Sequence, residues 1–265
     1  MRLGICTSPD RLAAAREAGF AYAELSCATL RYDLGESDAA HTLQTLREAP
    51  LPIEAFNVFL PPTLKVTGPA VDETAVESHM DRVLRRAASV GASIVVFGSG
   101  GARRVPEGFP LEEAQAQFVR AARRAAEIAD RYGLTIALEP LYKRSCNWFN
   151  RTDQGLALVR TVSHPRLRLL TDLFHLEREE EPFEHLVEAG PMLAHIHLPT
   201  PPLPDVAWGE AGVFDFGGFF SALRRAGYQG RLSVEDNNGV LANSTLPAVE
   251  AFKQIREWIE ARGGA

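Results

Sequence analysis

Short apolar runs alternate along the chain with longer stretches whose apolar positions recur every three or four residues. The first pattern fits buried strands and the second fits helices with one covered face. The pattern predicts strands at residues 3–6, 22–26, 53–59, 93–97, 135–138, 169–172, 193–197 and 232–235, with Ser93-Ile94-Val95-Val96-Phe97 the clearest because of its β-branched run. Helices are expected at about 9–18, 37–48, 72–89, 111–132, 153–162, 181–189, 216–226 and 248–261. In the first helix Leu12, Ala13 and Ala15 are expected to cover the sheet while Asp10, Arg11 and Arg16 point outward. Ser37 is read as a helix cap, and Gly19, Gly91 and Gly133 as helix stops.

Eight strand–helix pairs without a low-complexity linker fit one closed parallel (β/α)8 TIM barrel over residues 1–265 better than an open sheet, which usually has fewer strands. Functional groups in such a barrel lie at the carboxyl ends of the strands. Four consecutive predicted strands end that way: Leu138-Glu139, Thr171-Asp172, Ile196-His197 and Val234-Glu235. Alone, each residue has an ordinary structural role as a salt-bridge partner, a helix cap or a hydrogen-bonded core histidine. Together, three carboxylates at one barrel mouth repel one another, and a divalent cation is the simplest neutralising partner. One imidazole with three oxygen donors suits Mn²⁺ or Mg²⁺, with Co²⁺ and Zn²⁺ also compatible. His195 and His197 share a strand face; His197 is taken as the ligand and His195 as its support or a structural residue.

Composition narrows the class. With 265 residues and 46% hydrophobic content the chain can bury a large core, and a formal charge of -6 argues against a nucleic-acid surface. Three scattered cysteines, Cys6, Cys27 and Cys146, suit neither a disulfide framework nor a thiolate zinc site. With no apolar leader or membrane-length run, the expected location is the cytoplasm, and the expected partner is a small molecule rather than a membrane. A homo-oligomer is left open.

The chain resembles the sugar-phosphate isomerase/epimerase family with the xylose-isomerase-like barrel, which includes hydroxypyruvate isomerases and ketose 3-epimerases. The resemblance runs through Asn57 and Pro61, Lys65-Val66-Thr67-Gly68-Pro69, Phe97-Gly98-Ser99-Gly100-Gly101-Ala102-Arg103, Glu139-Pro140-Leu141, Cys146-Asn147, Asp172-Leu173-Phe174-His175, His195-Ile196-His197 and Ser233-Val234-Glu235. It implies that Glu139, Asp172, His197 and Glu235 bind one divalent metal, that Glu139 and Glu235 move the proton, and that His175 holds a substrate oxygen. The expected chemistry is isomerisation or epimerisation of a small, sugar-derived hydroxy-carbonyl compound through a metal-stabilised enediolate, with a carboxylate on each side as acid or base. The alternatives are a metal-dependent lyase or dehydratase beginning with the same proton abstraction, and a non-catalytic sugar-binding or regulatory descendant. A hydrolase of damaged DNA would need a richer ligand set.

Lys65, Arg103 and Asn147 complete the expected substrate contacts. For Lys65 the long third loop favours that role. For Arg103 the Gly98–Arg104 loop divides evenly between an anion cradle and a tight turn with solvated arginines. Trp148 and Phe149 suit an apolar wall against a sugar or core packing equally well. The basic positions of 116–131 read as a solvated helix face, and the proline run 198–204 as a rigid surface loop. Two departures from relatives acting on free ketoses are Ser145, where these usually carry a substrate-contacting Glu, and the lack of a basic residue in 198–204, where they often carry Arg.

Overall fold

The computed structural model describes residues 1–207 and 213–264. Its strands are β1 (Arg2–Cys6), β2 (Tyr22–Ser26), β3 (Ile53–Asn57), β4 (Ile94–Phe97), β5 (Thr135–Leu138), β6 (Leu167–Asp172), β7 (Leu193–Pro199) and β8 (Arg231–Glu235). They close in sequence order into a parallel barrel, β8 returning to β1. The main helices run outside, at Leu12–Glu17, Glu36–Arg47, Glu73–Val90, Leu111–Arg131, Thr152–Val162, Glu184–Ala189, Phe216–Arg225 and Ala248–Glu260. No helix among the described residues is long and apolar enough to cross a membrane.

Several local expectations change. Asp72 accepts a hydrogen bond from the Ala75 amide at 3.0 Å and starts the third helix, which Gly91 ends at φ 102°. The second helix begins after Gly35, so Ser37 lies within its first turn and is not the cap. In the first helix Leu12 and Ala15 are buried, while Ala13 is exposed. Strand β3 stops at Asn57, because Val58 turns to φ 53°. Short helices at Gly100–Arg103, Leu173–Arg178 and Val240–Asn243 follow β4, β6 and β8, where the apolar periodicity is too brief to show.

Strand alternation sorts the barrel into two environments. One set of side chains meets the helices in the main core, while Ala55, Ile94, Val96, Ala137 and Leu170 form a separate cluster inside the barrel. The β1–β2 and β7–β8 side of the interior is polar instead. At the amino-terminal end Arg2 and Arg231, paired across β1 and β8, both bind Glu54. Their guanidinium carbons lie 5.8 and 6.0 Å from the centre of the Tyr22 ring. Gly4 is what admits that ring, since a Cβ there would stand 2.4 Å from it.

Outside, Arg120 and Arg131 bond Glu73 and Asp81 of the neighbouring helix at 3.3 and 3.2 Å, and Arg124 bonds Glu77. The basic face of 116–131 is therefore an ion-paired helix contact, not merely a solvated one. The run after β7 is not a surface loop either, since Pro199, Thr200, Pro201 and Leu203 are buried. Arg86, almost fully buried, donates to the carbonyls of Leu30, Arg31 and Leu34 and pairs with Glu36 at 2.7 Å, fixing the loop after β2. Arg86→Met strands those carbonyls, and we expect a loss of ~1–3 kcal/mol, seen as a lower urea midpoint at unchanged slope.

Candidate metal and active site

Glu139, Asp172, His197 and Glu235 offer ligand atoms that all lie within 4.8 Å of one another. Register explains the convergence. Asp172 pairs directly with His197 across β6 and β7, and Glu235 pairs with Pro199, one inward-facing position above His197. Glu139 follows β5 immediately, its amide bonded to the Phe97 carbonyl at 3.3 Å. Gly98 makes room for the Glu139 side chain, because a Cβ at that position would stand 2.2 Å from its carboxylate oxygen.

His197 is the hub. Its Nδ1 lies 3.3 Å from Glu139 Oε1 and 3.2 Å from Glu235 Oε2, and its Nε2 lies 2.9 Å from Glu24 Oε1. Asp172 accepts the Phe174 amide at 2.8 Å on one oxygen and Asn237 Nδ2 at 2.7 Å on the other. It is thus both a member of the cluster and the cap of the short helix that follows.

Burial raises the Glu139 carboxyl, and burial together with the Glu235 charge holds Asp172 well above the ordinary range. Burial is the largest influence on Glu235 and opposes its ionisation, but the charge and hydrogen bond of His197, together with His175, lower that carboxyl overall. Burial disfavours a charged His197, yet Glu24 and Glu235 outweigh it and hold the imidazole well above its usual value. The cluster therefore calls for a cation. Three carboxylates and one imidazole nitrogen are the hard oxygen and borderline nitrogen donors that a divalent ion takes, so the residues fit such a group. A cation facing Nδ1 would compensate the same charge as the imidazole proton.

Glu24, on β2, is the residue that sequence reasoning missed. It is fully buried and meets two imidazoles, His195 Nε2 at 2.7 Å and His197 Nε2 at 2.9 Å. Burial opposes its ionisation, but the two imidazoles outweigh that and hold it well below the usual carboxylate range. A signal existed: Ala23 and Leu25 belong to the helix-side core, so strand alternation turns Glu24 into the barrel, where no water solvates a carboxylate.

The expected substrate contacts separate. His175 is buried, stacked on Tyr142 with ring centres 5.3 Å apart, and its Nε2 is 3.7 Å from Asp172 Oδ2. Its Nδ1 has no hydrogen-bond partner among the described residues, and burial pushes the imidazole down to about 4, so the ring is neutral. Arg103 is turned away from solvent: fully buried, it donates to the Glu139 carbonyl at 2.9 Å and packs 4.4 Å over the Phe149 ring. Lys65 Nζ donates to the Gly101 carbonyl at 2.9 Å, tying the third loop to the fourth. Asn147 exchanges two hydrogen bonds with the backbone of Val105, at 3.0 and 2.9 Å. These three side chains therefore brace loops at the barrel mouth. Trp148 and Phe149 are buried against Phe118, the core-packing arrangement.

The family model of the xylose isomerase-like TIM barrel matches residues 12–262. An L-ribulose 3-epimerase from Methylomonas sp. (strain DH-1) is 27% identical over 243 residues, covering 89% of this chain and 80% of that protein. The fold is shared with a crystal structure of a D-allulose 3-epimerase from Methylomonas sp. in complex with D-allulose, at TM-score 0.81 and 22% identity over 99% of this chain and 97% of that one. It is shared also with the IOLI protein carrying a zinc atom, at TM-score 0.74 and 22% identity over 99% and 98% of the two chains.

Because Gly98 clears the space that the Glu139 carboxylate occupies, Gly98→Ala should weaken Mn²⁺ binding by on the order of 10- to 100-fold. A calorimetric titration of the variant beside its thermal melt checks this, with an unshifted melt expected.

Proposed function

The chain belongs to the family of xylose isomerase-like TIM barrels, and from that premise we propose that it is a divalent-metal-dependent epimerase or isomerase of a small ketose-type sugar. The observation that carries this reading is the meeting of Glu139 and Glu235 at one imidazole nitrogen, 3.3 and 3.2 Å away, from strands three places apart around the barrel. Two carboxylates arriving from different walls suit a reaction in which a proton leaves one face of a carbon and returns to another. The curated relatives, among them the L-ribulose 3-epimerase, support the same class of chemistry.

Glu139, Asp172, His197 and Glu235 are the residues that would hold the cation. When bound, it supplies Lewis acidity, worth several kcal/mol toward removing a proton beside a carbonyl. Zinc in the IOLI protein supports a divalent ion here, and the donor set equally suits Mn²⁺ or Mg²⁺. One glutamate takes the proton from the carbon next to the carbonyl and the other delivers a proton to the opposite face. Where delivery returns to the same carbon the product is an epimer; where it goes to the former carbonyl carbon, and the neighbouring hydroxyl proton passes to the former carbonyl oxygen, the product is an isomer. His175, neutral and stacked on Tyr142, presents a ring to a substrate oxygen at the rim.

With Ser145 in place of the usual Glu, and with Lys65, Arg103 and Asn147 committed to loop contacts, few charged side chains remain to grip the far end of a sugar. We therefore place the substrate among short ketoses, held chiefly at the reacting carbons. Incubated with Mn²⁺ and a panel of ketoses in D₂O, the protein should incorporate solvent deuterium at the carbon adjacent to the carbonyl, the product differing in mass from the substrate only by that deuterium. Glu139→Gln and Glu235→Gln should each lower turnover by ~10²- to 10⁴-fold. Loss of water from the product would instead assign a dehydratase. No exchange with any member of the panel would count against the reading.

A further inference from the structure

A single buried carboxylate touches two imidazoles inside the barrel, and only one of those imidazoles reaches the candidate metal site. Glu24 Oε1 lies 2.9 Å from His197 Nε2 and Glu24 Oε2 lies 2.7 Å from His195 Nε2. All three side chains are fully buried or nearly so. An ionised carboxylate has only lone pairs to offer, so each nitrogen facing it carries a hydrogen. For His197 this decides the tautomer: a neutral ring with its proton on Nε2 has a bare Nδ1, the atom among the carboxylates of Glu139 and Glu235.

The other oxygen of Glu24 is held from below. His195 Nε2 also lies 3.2 Å from Ser233 Oγ, which is 2.9 Å from the Tyr22 hydroxyl. Tyr22 is itself fixed by the space over Gly4 and by the two guanidinium groups above its ring. The hydrogen-bonded run therefore passes from the closed end of the barrel to its mouth, and Glu24 is the link through which it reaches a candidate ligand.

We infer that Glu24 is a positioning residue, which selects the His197 tautomer and fixes the ring so that Nδ1 faces the cation, while the Tyr22–Ser233–His195 chain holds Glu24 in place. The inference rests on the metal-site reading above but concerns a residue outside the Glu139, Asp172, His197 and Glu235 cluster. It follows the general behaviour of ligand imidazoles, whose second nitrogen donates to a carboxylate that sets orientation and basicity. The unusual feature is that the carboxylate is shared, so its orientation is set by a second histidine outside the metal cluster.

The test compares the native protein with Glu24→Gln, whose amide keeps the shape but offers one acceptor where the carboxylate offers two. In native protein loaded with Mg²⁺, nitrogen-15 shifts should show the His197 proton on Nε2 and none on Nδ1. The variant should bind Mn²⁺ by on the order of 10- to 100-fold more weakly and show altered His197 shifts. In the Mg²⁺-loaded native protein, His197 protonated on Nδ1 would overturn the inference whether or not the variant folds. So would a folded variant with native shifts and native Mn²⁺ affinity. Turnover plays no part in either readout, so a native protein that shows the expected tautomer but epimerises nothing would sink only the functional proposal.

Discussion

Compensation of negative charge at the barrel mouth is the constraint on which the rest of this structure depends. Glu139, Asp172 and Glu235 converge there, with Glu24 directly beneath. Four carboxylates so close together and out of water are unfavourable unless positive charge lies among them. Within the protein His197 is the side chain placed to carry it, since it contacts Glu24, Glu139 and Glu235 together and its imidazole is held well above its usual value. The same geometry that calls for a proton on Nδ1 accommodates a divalent ion facing it.

Making this arrangement requires room inside a barrel that is ordinarily filled with branched apolar side chains. Small residues supply it. Gly98 leaves space for the Glu139 carboxylate and Gly4 for the Tyr22 ring, while Ser233 sits between Tyr22 and His195 with its hydroxyl in contact with both. On the other side of the interior Ile94, Val96 and Leu170 pack with Ala55 and Ala137 in the usual apolar manner. The barrel is thus divided lengthwise into an apolar half, which contributes packing, and a polar half, whose hydrogen bonds orient the mouth.

The loops above are braced by cations, two of them guanidinium groups that the fold has removed from solvent and the third the half-buried Lys65. Arg103 holds the Glu139 carbonyl, Lys65 joins the third loop to the fourth, and Arg86 gathers three carbonyls after β2. Buried guanidinium groups that donate to carbonyls are stiff elements, because moving them strands several partners at once. Stiffness near the site suits a reaction whose rate depends on carboxylates held at fixed positions.

How much of this was legible in the chain follows from the range of the interactions concerned. Strand–helix alternation is local, so the barrel and the four residues at the ends of β5 to β8 could be read directly from apolar runs. Glu24 obeys the same alternation, yet its meaning depends on His195, 171 residues away, and no local pattern encodes that contact. For Arg103 and Asn147 the sequence shows charge and polarity without direction. Tertiary packing decided that one guanidinium lies behind Glu139 and that the amide grips Val105. The sequence by itself determined the fold and which residues stand at its carboxyl-terminal mouth, because strand period and strand ends are set by neighbours in the chain. Only the tertiary structure decided which of those side chains meet, since a hydrogen bond across the barrel depends on strand register and on the glycines that leave it space.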